Sequence, residues 1–323
     1  MSKGSTEKKK KDIEEDPKWY AHYSYLLDNP EIFEIFFPGR HATNQGKGKH
    51  NDVIIIVGKK GVGKTELAKM LAFIFESVEK DDKFAVFCGV PDLYSDLEDM
   101  FDDKLVQVDL DEVDEEGDYT VPPASLFKNV FVIFDDTEKH ESKEIEKMLW
   151  RLVNSIAQKG RNYKTTLVCI LHQLNKGLTS NTILREMDAL IVFPKFYDMN
   201  TFNSIINHIG IPKDVTEALY RLDERFILIR NSAPQYFFLG SSMIKTSSYN
   251  TIFKLAYGEP EEEEEEEKEE KEFNEVDLLK ALSNAGFNEK EQDRTNESES
   301  RRSTERASKF VHKQEREPTI NGI

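Results

Sequence analysis

The chain has 323 residues, 38% hydrophobic and 33% charged, with a formal net charge of -17. This composition fits one sizeable globular domain with polar extensions, and its apolar runs are strand length, far short of the ~18 residues a membrane span needs. The acidic sum alone argues against a nucleic-acid binder, but residues 259–272 hold eleven Glu against two Lys, so over half of the excess lies in one self-repelling run.

Residues 1–17 are charged, with four lysines at 8–11 and no apolar stretch behind them, which predicts a disordered arm and no secretory signal. Residues 18–50 are rich in aromatics (Trp19, Tyr20, Tyr23, Tyr25, Phe33, Phe36, Phe37), so this segment is expected to dock on the main domain. That domain, 51–258, reads as α/β. Five near-continuous apolar runs (53–57, 84–88, 130–134, 167–171 and 189–193) suit a mainly parallel sheet buried on both faces by helices.

The first run leads directly into Gly58-Lys59-Lys60-Gly61-Val62-Gly63-Lys64-Thr65, which fits G-x-x-x-x-G-K-[ST] at every position, and a helical pattern beginning at Glu66 follows. Glycines let backbone N–H groups turn inward around phosphates, and the helix N-terminus adds its positive end. Lys64 is expected to reach the β- and γ-phosphates of ATP, with Thr65 placing its hydroxyl on Mg²⁺. Cys88, in the second run, and Cys169, in the fourth, read as buried small hydrophobes rather than a disulfide or a zinc motif. Residues 109–118 are acidic and read as a surface excursion.

The third run ends in Asp135-Asp136. A P-loop enzyme needs an acid at a neighbouring strand end to hold Mg²⁺, assigned here to Asp135; Asp136 is the candidate base for the attacking water, with Glu138 as the alternate. Ile145, Met148, Leu149, Leu152 and Ile156 recur at helical spacing, and that helix is expected to end at Gly160. The fourth run ends in His172-Gln173. In ATPases with an extra strand between the P-loop strand and the acidic strand, a polar residue here senses the γ-phosphate, and Gln173 fits better than His172 because an amide both donates and accepts. Arg161 is the first candidate, and Arg185 the second, for an arginine supplied across a subunit boundary.

Segments 226–229 and 236–239 flank Asn231-Ser-Ala-Pro234 and read as a terminal β-hairpin. Beyond the Glu run, 274–286 carries apolar residues at the spacing of one short helix, and the remaining polar tail has little to bury.

In order, the P-loop, the Asp-Asp strand end, Gly160-Arg-Asn-Tyr-Lys-Thr-Thr166, Leu171-His-Gln173, Ile183-Leu-Arg185 and Ala189-Leu-Ile-Val-Phe193 resemble the genome-packaging ATPases of large double-stranded DNA viruses. This is the poxvirus-type family, shared with virophages, within the FtsK–HerA superfamily of P-loop NTPases. The resemblance spans about 52–239, and departs from the family in Asn162, where His is frequent, and in the Glu run. It implies nucleotide contacts at residues 58–65, metal and water handling at Asp135 and Asp136, and a sensor at Gln173. It also implies a homo-oligomeric ring that pumps double-stranded DNA into a preformed capsid, a capsid vertex protein as partner, and assembly sites in the host cytoplasm as location. Basic residues available for DNA are Lys9, Lys10, Lys11, Lys47, Lys49, Lys159, Arg161, Lys164 and Lys176. A nucleotide-binding scaffold and a small-molecule P-loop kinase are the rival classes; the intact Lys64, Thr65 and Asp135 speak against the first, and the missing Arg-rich lid against the second.

Overall fold

A run such as Val53-Ile-Ile-Ile-Val57 has no polar face to offer water, so it is stable only in a sheet covered on both sides. The structure, a computed structural model, describes residues 18–109, 121–135, 142–172, 174, 183–233 and 235–258, which fall in one compact unit reaching Pro260. The N-terminal arm, most of the 109–118 excursion, the Glu run with everything after it, and Asp136, Glu138, Gln173, Lys176 and Pro234 lie outside the described residues.

The strands are β1 (Val53–Val57), β2 (Lys83–Cys88), β3 (Leu105–Asp109), β4 (Val130–Asp135), β5 (Thr166–Leu171), β6 (Ala189–Val192), β7 (Ile227–Arg230), β8 (Tyr236–Leu239) and β9 (Ile244–Thr246). They form one sheet in the order β3-β2-β4-β5-β1-β6-β7-β8-β9. The pairs from β3 through to β6 are parallel. From β7 onward they are antiparallel, so the terminal hairpin extends the main sheet. The fold is a P-loop NTPase fold, with β5 between the P-loop strand β1 and the acidic strand β4. Strands β3 and β9, at the two edges, are additions to the sequence reading.

Helices cover both faces. One layer holds α1 (Lys18–Tyr23), α2 (Ile32–Phe36), α4 (Lys64–Val78) and α5 (Ser95–Phe101), packed through a core that includes Ile54 and Ile56 of β1, and α3 (Pro38–Asn44) follows α2 with Gly39 and Arg40 buried. The other holds α6 (Lys143–Tyr163), α7 (Met199–Asn207), α8 (Lys213–Arg221) and α9 (Tyr249–Tyr257), over Val53, Ile55 and Val57. The alternation along β1 therefore splits its side chains between two cores. Tyr23, Phe36 and Phe37 of the aromatic segment are fully buried, and the Phe37 ring meets Phe75 edge-on at 5.3 Å. Cys88 and Cys169 are buried and free.

The helix expected to stop at Gly160 runs on to Tyr163, and Lys164 is the left-handed cap at φ 54°. Gly160 answers a different need, because a Cβ there would sit 2.9 Å from Asn51 Nδ2 and 3.3 Å from the Thr165 carbonyl oxygen. The glycine permits close approach of β5 rather than ending the helix.

Buried charges join the aromatic segment to the end of the sheet where the parallel strands start. Arg40 donates to Asp82 at 2.6 Å, to Glu79 at 2.9 Å and to the Lys164 carbonyl at 2.9 Å. Asp52 accepts from the backbone N–H groups of Gly39 and Arg40 and from Arg230 at 3.2 Å, and Asp188 lies 3.8 Å from Arg230. Burial pushes Asp82 and Asp188 each up to about 6 despite these arginines.

Candidate active site

The P-loop emerges where β1 ends, and its glycines have separate tasks. Gly61 and Gly63 have φ of +81° and +93°, values side-chain-bearing residues rarely adopt. Gly58 is needed for space, since a Cβ there would lie 2.7 Å from Val62 Cγ2. Gly63 then caps α4, which starts at Lys64, and offers no side chain to the free N–H groups of the first turn. That arrangement leaves a helix N-terminus open to an anion.

Lys64 is buried, with Nζ donating to the Lys59 carbonyl at 3.1 Å and lying 3.4 Å from His172 Nδ1. Thr65 donates its hydroxyl to Asp135 Oδ2 at 2.9 Å. Asp135 closes β4, where its Cα is in register with Cys88 of β2 and Ile170 of β5. The same Oδ2 accepts a 2.8 Å bond from the hydroxyl of the fully buried Tyr94. Lys69, on α4, pairs with Asp96 at 2.9 Å and lies 5.6 Å from the centre of the Tyr94 ring, fixing the loop that carries the tyrosine.

A cleft of about 510 Å³ opens above this cluster. Its walls include P-loop residues 60–65, Glu66, Asp135 and His172, together with His22, Leu93, Phe196 and Arg225. The volume suits a small-molecule ligand of nucleotide size. Thr65 and Asp135 bring two hard oxygens together on one wall, a donor set that fits Mg²⁺, which is commonly held by one or two carboxylates plus substrate phosphates. Among the described residues no cluster of three or more His, Cys, Asp or Glu could hold a metal by itself.

Of the residues singled out in the sequence, Lys60, Gly61, Val62, Gly63, Lys64, Thr65, Glu66 and Asp135 line this cleft, whereas Lys59 offers Lys64 its carbonyl and carries its ammonium over the Tyr197 ring, 5.7 Å from its centre. His172, set aside in favour of Gln173, stands beside Lys64. Arg161 does not join them. It is exposed in the last turn of α6, just before β5 begins, while the P-loop follows the end of β1. One strand of six residues spans roughly 20 Å, so Arg161 cannot serve its own P-loop. Arg185, exposed just before β6 begins, is at that same far end. His22, Phe196 and Arg225, which line the cleft, and Tyr94, which bonds Asp135, are marked by no local sequence pattern, and Tyr23, which bonds the Gly63 carbonyl, reads in the sequence only as one of the docking aromatics.

No family model matches the chain. In sequence it is 22% identical over 191 residues to the uncharacterized protein V3 of Sputnik virophage, covering 58% of this chain and 75% of that protein. Among solved structures it is similar to the genome packaging NTPase B204 from Sulfolobus turreted icosahedral virus 2 in complex with ATP-γ-S, at a TM-score of 0.38 and 14% identity over 61% of this chain and 95% of that one. A comparable likeness, TM-score 0.38 and 14% identity over 64% and 65% of the two chains, relates it to the pCW3 conjugation coupling protein TcpA. The virophage match agrees with the resemblance carried by the order of motifs.

Proposed function

We propose that this protein is an ATP-driven motor that moves double-stranded DNA into a preformed viral capsid. The observation that carries the enzymatic half is the 2.9 Å bond between Thr65 and Asp135 beside the buried Lys64. A P-loop, a hydroxyl and a strand-end acid converge there, as ATP hydrolysis requires. The position of β5 between β1 and β4 supports a hydrolase with a sensor strand rather than a small-molecule kinase. The DNA half is supported by the motif order from Gly160 to Phe193 and by the sequence match to a virophage protein.

In this reading the N–H groups of residues 61–65 and the ammonium of Lys64 bind the β- and γ-phosphates. Thr65 and Asp135 would hold Mg²⁺, which would supply positive charge against that developing on the phosphoryl oxygens. Asp136 takes the proton of the attacking water, Gln173 reports the γ-phosphate, and a neighbouring subunit supplies Arg161.

ATP turnover with and without duplex DNA, over a series of salt concentrations, tests the proposal. Duplex DNA should stimulate turnover, and the stimulation should fade as salt rises because phosphate contacts release counterions. Turnover indifferent to DNA at low salt would refute the motor, and phosphoryl transfer to a nucleoside would favour the kinase. Native mass measurement with ATP and DNA present should reveal a closed ring.

A further inference from the structure

The cleft has two ends, and the strand order separates them. Lys64, Thr65, Asp135 and His172 lie toward β5 and β4 on one side of β1. On the other side, Phe196 follows β6 and Arg225 precedes β7, both at the end of the sheet where the P-loop emerges. A nucleoside triphosphate whose terminal phosphate meets Asp135 must extend its nucleoside toward β6 and β7.

That second end is built rather than merely open. The Arg225 guanidinium lies over the Tyr23 ring at 4.4 Å and donates to the His22 carbonyl at 3.1 Å. Its main-chain N–H is fixed on Ser241 Oγ at 2.8 Å. Tyr23 in turn donates its hydroxyl to the Gly63 carbonyl at 3.2 Å, so the buried tyrosine ties the arginine to the P-loop itself. Arg225 Nη2 and Glu66 Oε2 converge on Gly63, lying 3.6 and 3.9 Å from where a Cβ on that residue would stand. Phe196 lines the same cleft and remains 43% exposed, a large apolar ring left in water at the rim of a polar site. An aromatic face and a held guanidinium are the two surfaces on which a heterocyclic base stacks.

We infer that Phe196 and Arg225 form the base-binding subsite of the nucleotide cleft, with Tyr23 as a positioning residue that couples the N-terminal segment to it. This rests on the nucleotide-binding reading above and adds where the base is held. It makes the segment before β1 part of the ATP site.

The test compares full-length wild type, Phe196→Ala, Arg225→Ala and Arg225→Lys by equilibrium binding of ATP and of inorganic tripolyphosphate, both with Mg²⁺. Phe196→Ala and Arg225→Ala should each weaken ATP binding about tenfold, the scale of one lost stacking partner, and leave tripolyphosphate within about twofold. Arg225→Lys, which keeps the charge without the flat face, should weaken ATP to an intermediate degree. Unchanged ATP affinity in both alanine variants would overturn the subsite. Parallel loss of tripolyphosphate in variants that keep the wild-type thermal transition would assign Arg225 to the phosphates and overturn it equally. A wild type that binds neither compound would overturn the nucleotide reading itself.

Discussion

Thr65 and Asp135 stand 70 residues apart in the chain and share one hydrogen bond of 2.9 Å, made because β1 and β4 end at the same height with only β5 between them. Neither residue makes a metal site alone. The sheet brings a hydroxyl from the first turn of α4 against a carboxylate at a strand end, and the pair sits where the P-loop would place phosphate oxygens. Thr65→Ala and Asp135→Asn should therefore each lower Mg²⁺-dependent ATP turnover by about a hundredfold, the scale of removing one preorganised electrostatic partner. Steady-state turnover across a Mg²⁺ titration checks this; activity within about threefold of wild type in both variants would remove the metal role.

Tyr94 offers a finer version of the same test. Its hydroxyl is the second donor to Asp135 Oδ2, and the ring is fully buried. Tyr94→Phe keeps the ring and removes the hydroxyl that makes this bond, which should cost about 1 kcal/mol of stability. Because the carboxylate loses an orienting partner, half-maximal turnover should require several-fold more Mg²⁺. A stability loss with an unchanged Mg²⁺ requirement would make the tyrosine structural only.

How much of this was legible in the sequence depended on how local each contact is. The P-loop was readable because its backbone dictates its residues, with Gly61 and Gly63 at positive φ and Gly58 where a Cβ would strike Val62. The strands buried on both faces were readable from unbroken apolar runs. The edge strand β3 was not, because Leu105-Val-Gln-Val-Asp109 interrupts its apolar residues with polar ones, as a strand covered less completely can. Gly160 looks like a helix end in the sequence because its real constraint, the approach of Asn51 and Thr165, leaves no local pattern. Tyr94 and Arg225 were invisible for the same reason: each gains its place from a partner at least forty residues distant.

Gly240 supplies a stability prediction away from the cleft. A Cβ there would come within 2.4 Å of Phe226 Cε1, and Phe226 is fully buried near Phe36, Phe193 and Phe238. No part of that ring is a flexible end that can swing aside. Gly240→Ala should cost about 1–3 kcal/mol, the range for overpacking a core. Thermal unfolding should show a transition lowered by several degrees; an unchanged transition would mean that the backbone after β8 moves freely.

Stability should also carry a pH signature from Asp188 and Asp82. Burial raises both folded-state values to about 6, above the unfolded carboxylate value of 3.8, so the folded state holds these protons more tightly. Their favourable contribution is complete below about 4 and is lost as pH rises through about 6. Asp188→Asn, which mimics the protonated form, should gain in melting temperature relative to wild type as pH rises from about 4 to 7. A difference that stays flat, or moves the other way, would show that the pairing with Arg230 outweighs burial.

Arg161 can act only across a subunit boundary, because its own P-loop lies at the opposite end of the sheet, and this makes a mixing experiment decisive. A Lys64→Ala subunit has no working P-loop but keeps its arginine; an Arg161→Ala subunit has the reverse. In randomly mixed rings at equal ratio, about a quarter of interfaces join an intact P-loop to an intact arginine, since a head-to-tail contact presents one of each. ATP turnover of the mixture should then exceed the average of the two variants measured alone, and the excess should vanish when rings are prevented from exchanging subunits. The same mixture made with Arg185→Ala separates the two candidates, which lie at the same end of the sheet. A gain with Arg161 alone assigns the residue, and a gain with Arg185 alone transfers the role to it. No gain with either would exclude both as the residue that completes a neighbour's site.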